Sequence, residues 1–451
     1  MILANEVVVS IIVLLGLSLL RINVVIALII SAMVAGLLGG LGLDKTINVF
    51  TDGLGGGASV AMNYAVLGAF AVAISRSGLT DLLAYNFIRR IGSKPQVKTV
   101  MWFKYILLAI LLSFSISSQN IIPVHIAFIP IVVPPLLEIF NRLKLDRRAV
   151  ACVLTFGLTA TYMLLPIGFG KIFIESILVA NINQVGQSFN LHTTTTQVSL
   201  AMLIPVMGMI LGLLFAVFVS YRKPREYLSV TQETTTELEQ RIAQIKSTQI
   251  WVSVIAILVT FALQLFTEST IIAALVGLMI FALGGIFRLK ESNDVFQQGL
   301  RLMAMIGFVM IAASGFAKVI NATGGVTELV QSFNHTLGAN NKGLAAFLML
   351  LVGLFITMGI GSSFSTVPII TSIYVPLCIS FGFSELATAA IVGVAAALGD
   401  AGSPASDSTL GPTSGLNADG KHDHIWDTVV PTFIHYNIPL LVFGWIAAMV
   451  L

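Results

Sequence analysis

Two stretches of this 451-residue chain carry the same polar text inside apolar surroundings. One reads Ser117-Ser118-Gln119-Asn120-Ile121-Ile122-Pro123. The other reads Ser362-Ser363-Phe364-Ser365-Thr366-Val367-Pro368, with equal spacing from the serine pair to the proline. Hydroxyl and amide oxygens beside a helix break can replace the hydration shell of a cation, and half-helix N-termini offer N–H groups to a carboxylate. A serine pair alone also suits a close helix contact. That contact would not require Asn120, Gly361 or the prolines that follow. A third stretch, Gly399-Asp400-Ala401-Gly402-Ser403-Pro404-Ala405-Ser406-Asp407-Ser408-Thr409, follows the apolar run Ile391–Leu398. An ionised Asp at mid-bilayer costs about 3 kcal/mol or more, so it calls for a partner or a task. Burial disfavours its charge and a bound cation restores it, which would couple ion binding to proton release. The competing reading makes one carboxylate, Asp407 more readily than Asp400, a cap on a half-helix starting near Pro404.

The cation-binding candidates are therefore Ser118, Asn120, Ser363, Ser365, Thr366, Asp400 and Asp407, with a sodium-type site at Asn120, Ser363 and Asp400. Candidates for substrate are Ser117, Ser362, Thr161, Lys171, Glu175, Ser403 and Ser406. In the first half the stretch Thr159–Lys171, broken near Pro166, has Tyr162 and Phe169 where the second half has Asp400 and Asp407. Lys171 and Glu175, at i and i+4, would either neutralise each other or hold a substrate carboxylate on Lys171 with Glu175 as counter-charge. His125 reads as a satisfied core histidine, and His435 and Asn437 sit at a possible break before Pro439. His422-Asp423-His424, beside Lys421 and Trp426, reads as an interfacial loop rather than a metal site. No nucleophile–base order or phosphate loop appears, so neither an enzyme nor a cofactor is expected beyond the coupling ions Na+ and H+.

Apolar helices must position these residues. The chain is 57% hydrophobic and 10% charged, against about 25% charged in soluble domains, which places it in a bilayer. Runs such as 22–43, 199–221 and 270–287 are each long enough to span it. Val7–Leu20 lacks a basic leader and reads as a retained helix. Cys152 and Cys378 lie in separate apolar stretches and read as packing residues.

The chain also repeats itself. Val49-Phe50-x-x-Gly53-Leu54 matches Val295-Phe296-x-x-Gly299-Leu300 (295 − 49 = 246). Gly78-x-Thr80-Asp81 matches Gly325-x-Thr327-Glu328 (247), Pro123 matches Pro368 (245), Pro166 matches Pro404 (238), and Ile204-Pro205 matches Ile438-Pro439 (234). Arg89, Arg90, Lys94 and Lys98 precede the first serine hairpin, and Arg142, Lys144, Arg147 and Arg148 follow it. The segments around the second hairpin, 334–342 and 382–385, are nearly free of cations, so the halves are expected to be inverted. The expected architecture is an all-α integral membrane protein with roughly ten spans, two re-entrant hairpins and two Pro-broken helices. The first repeat covers 1–221, with its hairpin at about 99–140 and its broken helix at about 149–185. A cytoplasmic linker covers 222–248, where Leu238, Ile242 and Ile245 suggest a surface helix. The second repeat covers 249–451, with its hairpin at about 343–385 and its broken helix at about 389–420.

The motif at 399–409, together with the oxygen-rich hairpins, resembles the bacterial sodium/proton antiporter family of the ion-transporter superfamily. It is similar above all to the branch described as sodium/proton antiporters or amino-acid transporters, histidine permease-like proteins among them. The resemblance covers essentially the whole chain. It implies a multi-pass protein of the inner (plasma) membrane with one central site, in which one domain moves against a fixed scaffold. The expected function is sodium-coupled secondary transport, either sodium/proton antiport or amino-acid permeation. A carboxylate exchanger of the same superfamily and an ion channel are the alternatives. Expected partners are a small molecule or ion and the bilayer, with a homodimer compatible and nucleic acid not expected.

Overall fold

In the computed structural model the described residues are 5–20, 22–79, 82, 97–120, 129–227, 245–267, 269–325, 328, 341–361 and 363–451. Among them there are helices, turns and loops and no strands. Pro123, His125, Ser362, Leu238, Ile242 and the basic cluster 89–94 lie outside the described residues. Among the described residues six helices are long and apolar enough to cross a membrane, or up to eight if each of two bent pairs is one span. Glu6–Ser18, Val24–Leu38, Ile271–Leu283 and Gly307–Thr323 are apolar but shorter. Asparagine side chains start three of the helices: Asn5, Asn23 and Asn341 accept from the backbone N–H of Val7, Val25 and Leu344.

The repeat seen in the sequence reappears as exchanged contacts. Helices Leu43–Gly53 and Gly55–Arg76, joined in a bent pair, lie against helix Ser292–Thr323 through glycines that let the backbones touch. A Cβ on Gly53 would stand 2.8 Å from the Gly315 Cα, one on Gly307 3.3 Å from the Ala61 Cβ, and one on Gly299 2.1 Å from the Ala69 nitrogen. Numbers rise on one helix as they fall on the other, so the two run antiparallel. Adding 246 to 53, 61 and 69 gives 299, 307 and 315. The contact of Gly53 with Gly315 thus becomes that of Gly299 with Ala69, and the contact of Ala61 with Gly307 maps onto itself. That is how two copies behave about a two-fold axis across the helices, as expected for inverted repeats.

Each half also packs its first hairpin limb on its own broken helix in one way. Ser115 Oγ donates to the Leu154 carbonyl at 2.7 Å and Gln119 Nε2 to that of Leu158 at 2.8 Å. In the second half Thr357 Oγ1 donates to the Ala395 carbonyl at 3.0 Å. The sequence separations are 39, 39 and 38.

Two expectations about the breaks need correction. Ser117–Asn120 is helical rather than a break: these residues form the last turn of helix Val97–Asn120, so their amides bond within the helix while their carbonyls, at its C-terminal end, are left without intrahelical donors among the described residues. The second hairpin turns at Gly361, φ 72°, and Ser363–Thr366 form the first turn of helix Ser363–Ser380. The half-helix expected near Pro404 starts later, as Asp407–Leu416 capped by Ser406, because Ser403–Ser406 stays outside helical geometry.

Candidate functional site

The first broken helix runs Arg147–Leu164, then resumes at Phe169 with a 49° bend. Pro166 disfavours helical geometry in the residue before it, and Leu165 is extended at φ −97°, ψ 115°. Gly168 then takes φ 60°, ψ −128°, a conformation open essentially to glycine alone. A Cβ there would sit 2.6 Å from the carbonyl oxygens of Gln119 and Asn120, so the end of the first hairpin limb rests on this break. Gly168→Ala is expected to cost about 2 kcal/mol or more and to displace Asn120, read as a lower unfolding temperature of the purified protein together with lost transport.

The second broken helix runs Glu385–Ala397, turns at Gly399 (φ 91°), makes a short 3-10 turn at Asp400–Gly402 and restarts at Asp407. Hydrogen bonds to neighbouring elements hold the break in place. Asn437 Oδ1 accepts from the Gly399 N–H at 3.2 Å, and Ser403 Oγ donates to the Met358 carbonyl at 3.3 Å. The Ser406 hydroxyl caps the restarting half-helix by accepting from the Ser408 N–H. The tip of the second hairpin meets this break too, a Cβ on Gly361 lying 3.1 Å from the Ala405 carbonyl.

Asp400 sits where these pieces meet, 6% exposed. Four hydroxyls surround its carboxylate. Tyr162 donates to Oδ2 at 2.6 Å and Ser363 at 3.2 Å, while Ser406 and Ser408 donate to Oδ1. The Tyr162 and Ser363 hydroxyl oxygens lie 2.8 Å apart. The ring of Phe364, beside Ser363, packs on Tyr162, Phe169 and Phe173 at centroid distances of 5.7, 6.5 and 5.5 Å. Both breaks and the second tip therefore converge on one carboxylate. The pair Tyr162–Asp400 is again self-equivalent, since 400 − 162 = 238 is the shift that relates Pro166 to Pro404.

The broken helices also run antiparallel along their length. Thr155 Oγ1 donates to the Ser408 carbonyl at 2.9 Å and Arg147 Nη1 to the Leu416 carbonyl at 2.8 Å. No ion pair reaches Asp400 or Asp407 among the described residues. Asp407 Oδ1 and Asn120 Oδ1 are buried without a hydrogen-bond partner. Unmet buried oxygens are suited to a cation, since each otherwise carries a desolvation cost.

The other candidates divide. Ser118 and Thr161 donate to the carbonyls of Ser115 and Gly157, and Ser117 is half-buried. Thr366 is buried. Lys171 and Glu175 are both exposed, and a π-helical stretch over Ile172–Val179 shifts them off the i, i+4 register. No ion pair joins them among the described residues. Tyr162 and Ser408 were not among the expected site residues. The repeat register that set Tyr162 against Asp400 was the signal for the first, and the serine two residues past the Ser406 cap for the second.

Known proteins resemble this chain over its whole length. A model described as the Na+/H+ antiporter family matches residues 153–445, and one described as the Na+-H+ antiporter family matches residues 5–91. An uncharacterized membrane protein of Haemophilus influenzae is 74% identical, covering 100% of both chains. An uncharacterized membrane protein of Vibrio parahaemolyticus is 58% identical, over 99% of this chain and 100% of its own. YuiF of Bacillus subtilis, named as a candidate amino acid transporter, is 51% identical over 99% of this chain and 100% of its own. Of solved structures, the Alcanivorax borkumensis YdaH transporter gives a TM-score of 0.42 at 14% identity, covering 90% of this chain and 88% of its own. Neisseria gonorrhoeae MtrF, described with a class of antimetabolite efflux pumps, gives 0.41 at 15% identity, covering 92% and 86%.

Proposed function

The chain belongs to the Na+/H+ antiporter family, and from that premise we propose that it is a sodium-coupled secondary transporter of the inner membrane whose cargo is a small amino acid. Asp400 carries this reading: a buried carboxylate at a helix break, held by four hydroxyls and by no cationic side chain among the described residues. Sodium would bind against Asp400 and the Ser363 hydroxyl, with the unmet oxygens of Asn120 and Asp407 as further ligands. Thr366 and Ser365 belong to this proposed set on sequence grounds. The N-terminus of half-helix Asp407–Leu416 favours negative charge beside it. Ser403 and Ser406 line the same break and would meet the polar groups of a substrate. The aromatic group of Phe169, Phe173 and Phe364 would meet its apolar part.

The name given to the Bacillus relative favours an amino acid over bare sodium/proton exchange. Alternating access would rock the two halves about the shared site. Flux in proteoliposomes tests the reading. A sodium gradient is expected to drive saturable uptake of one labelled amino acid from a panel that includes histidine. Dissipation of a pH gradient by Na+ with no organic substrate would identify an antiporter instead. Unsaturable conductance would identify a channel and overturn the proposal.

A further inference from the structure

The half-helix that starts beside Asp400 ends at a cleft. The segment 417–427 follows Asp407–Leu416 and faces the turn between helices Glu6–Leu19 and Val24–Leu38 across a space of about 480 Å³. Small-molecule pockets commonly measure about 300–1,000 Å³. Arg147, from the basic cluster after the first serine hairpin, pairs with Asp419 in this segment, and Arg225 pairs with Asp427. By the distribution of cations this is the cytoplasmic side.

The wall of the cleft carries one cation and one anion that no opposite charge engages. Lys421 and Asp423 both line it, and neither enters an ion pair among the described residues. Asp423 Oδ1 accepts from the Trp426 N–H at 2.7 Å, which fixes the carboxylate in place. Ile22 and Trp426, the latter 40% exposed, supply apolar surface. Ser18 Oγ and His422 Nδ1 are buried without a hydrogen-bond partner, and their residues line the cleft from its two sides. Each unmet group carries a desolvation cost that a ligand between them would relieve. Burial, opposed by Asp427 and reinforced by Arg147, pushes His422 down to about 3, so the ring is neutral and its Nδ1 either donates or accepts. A ligand with both a donor and an acceptor suits either form. No group of three His, Cys, Asp or Glu that could hold a metal ion occurs among the described residues. A simple anion would face Asp423 and a simple cation Lys421, each a like-charge contact. A zwitterion meets both.

We propose that this cleft is a second amino-acid site, on the cytoplasmic face and separate from Asp400, in which Lys421 takes the carboxylate and Asp423 the ammonium group of a free α-amino acid. The inference deepens the amino-acid reading above and rests on it for the class of cargo. The side chain of the ligand lies against Ile22 and Trp426. One wall belongs to the first helix pair and the other continues the half-helix that starts beside Asp400. An occupant ties the two together and holds back the rocking step. Amino acid on the cytoplasmic side is therefore expected to slow further uptake.

The test is equilibrium binding of radioactive amino acids, from a panel that includes histidine, to the purified full-length protein in sodium-free medium. There the Asp400 site lacks its coupling ion. The parent is expected to bind one of them saturably. Lys421→Gln and Asp423→Asn are each expected to weaken that binding about tenfold or more, through loss of one charge-assisted contact. Asn caps a helix as Asp does, so Asp423→Asn removes the charge and keeps the cap. Asp400→Asn should bind like the parent. No saturable binding by the parent, parental affinity in both cleft variants, or loss of binding in Asp400→Asn would each overturn the cleft site. If Asp423→Asn fails to fold, Lys421→Gln alone decides. Sodium-driven uptake run alongside separates the two ideas. Uptake without sodium-free binding condemns the cleft alone, whereas cleft-dependent binding without any sodium-driven uptake condemns the transporter reading and keeps the cleft.

Discussion

Asp400→Asn is expected to lower sodium-dependent uptake about a hundredfold while leaving the fold intact. Asn has nearly the shape of Asp, so the break and its glycine turn survive. What changes is charge and donor count. Four hydroxyls point at the carboxylate in the native protein. One of the two oxygens becomes an amide nitrogen that can only donate, so the hydroxyls on that side must turn away. A cation bound as proposed would lose its buried anionic ligand. Loss of about 3 kcal/mol of binding corresponds to roughly a hundredfold in affinity. Thermal unfolding should move little or upward, because a buried charge has been neutralised. Parental uptake in this variant would show that the cation binds elsewhere. Asp407→Asn should have a smaller effect, since its Oδ1 makes no hydrogen bond to lose.

Arg147→Ala is expected to cost about 2–3 kcal/mol of stability, since its buried charge-assisted hydrogen bonds are lost while the Asp419 carboxylate left behind is reached by water. Arg147 is fully buried. Both its Nη atoms meet Asp419 at 2.6 Å, Nη1 also donates to the Leu416 carbonyl at 2.8 Å, and Nη2 to Asn141 Oδ1 at 2.9 Å. The ring of Tyr227 lies 4.4 Å from its guanidinium carbon. One side chain thereby ties the start of the first broken helix to the end of the second. Lys cannot reproduce a two-pronged contact and should rescue only partly. Burial opposes ionisation of Asp419, but the hydrogen bonds and charge of Arg147 outweigh it and hold the carboxyl below its usual range. A lowered folded-state value means this stabilisation is present above the ordinary carboxylate pKa. It is lost as pH falls through the lowered one. Asp419→Asn should therefore unfold at a lower temperature than the parent at neutral pH, and the gap should close in strong acid. A gap independent of pH would remove the ion pair from the account.

Much of this arrangement was legible in the sequence because symmetry leaves a numerical trace. Gly53 and Gly299 were paired by their shift, and the structure finds each pressed on the other copy's helix. The prolines at 166 and 404 marked both broken helices, and Asp400 was read as the buried carboxylate. The exact break points were not legible. Whether Ser117–Asn120 ends a helix or turns a hairpin depends on what packs around it, and here the Leu154 and Leu158 carbonyls of the neighbouring broken helix draw that limb in as regular helix. The π-helical stretch after Lys171 was equally hidden, since one extra residue per turn leaves no mark on composition. Arg147 read only as one cation of a topology-setting cluster. Its role depends on Asp419, 272 residues away. Tyr162 was set opposite Asp400 by the repeat yet passed over for lacking a charge, although a phenol donates the shortest bond that Asp400 receives at an ordinary distance.

The central claim is that two broken helices meeting across a two-fold axis make one sodium site at Asp400. Equilibrium binding of radioactive sodium to the purified full-length protein, measured beside Asp400→Asn, tests it most directly. The account predicts saturable binding to the parent and its loss in the variant. Equal binding by both proteins would contradict it.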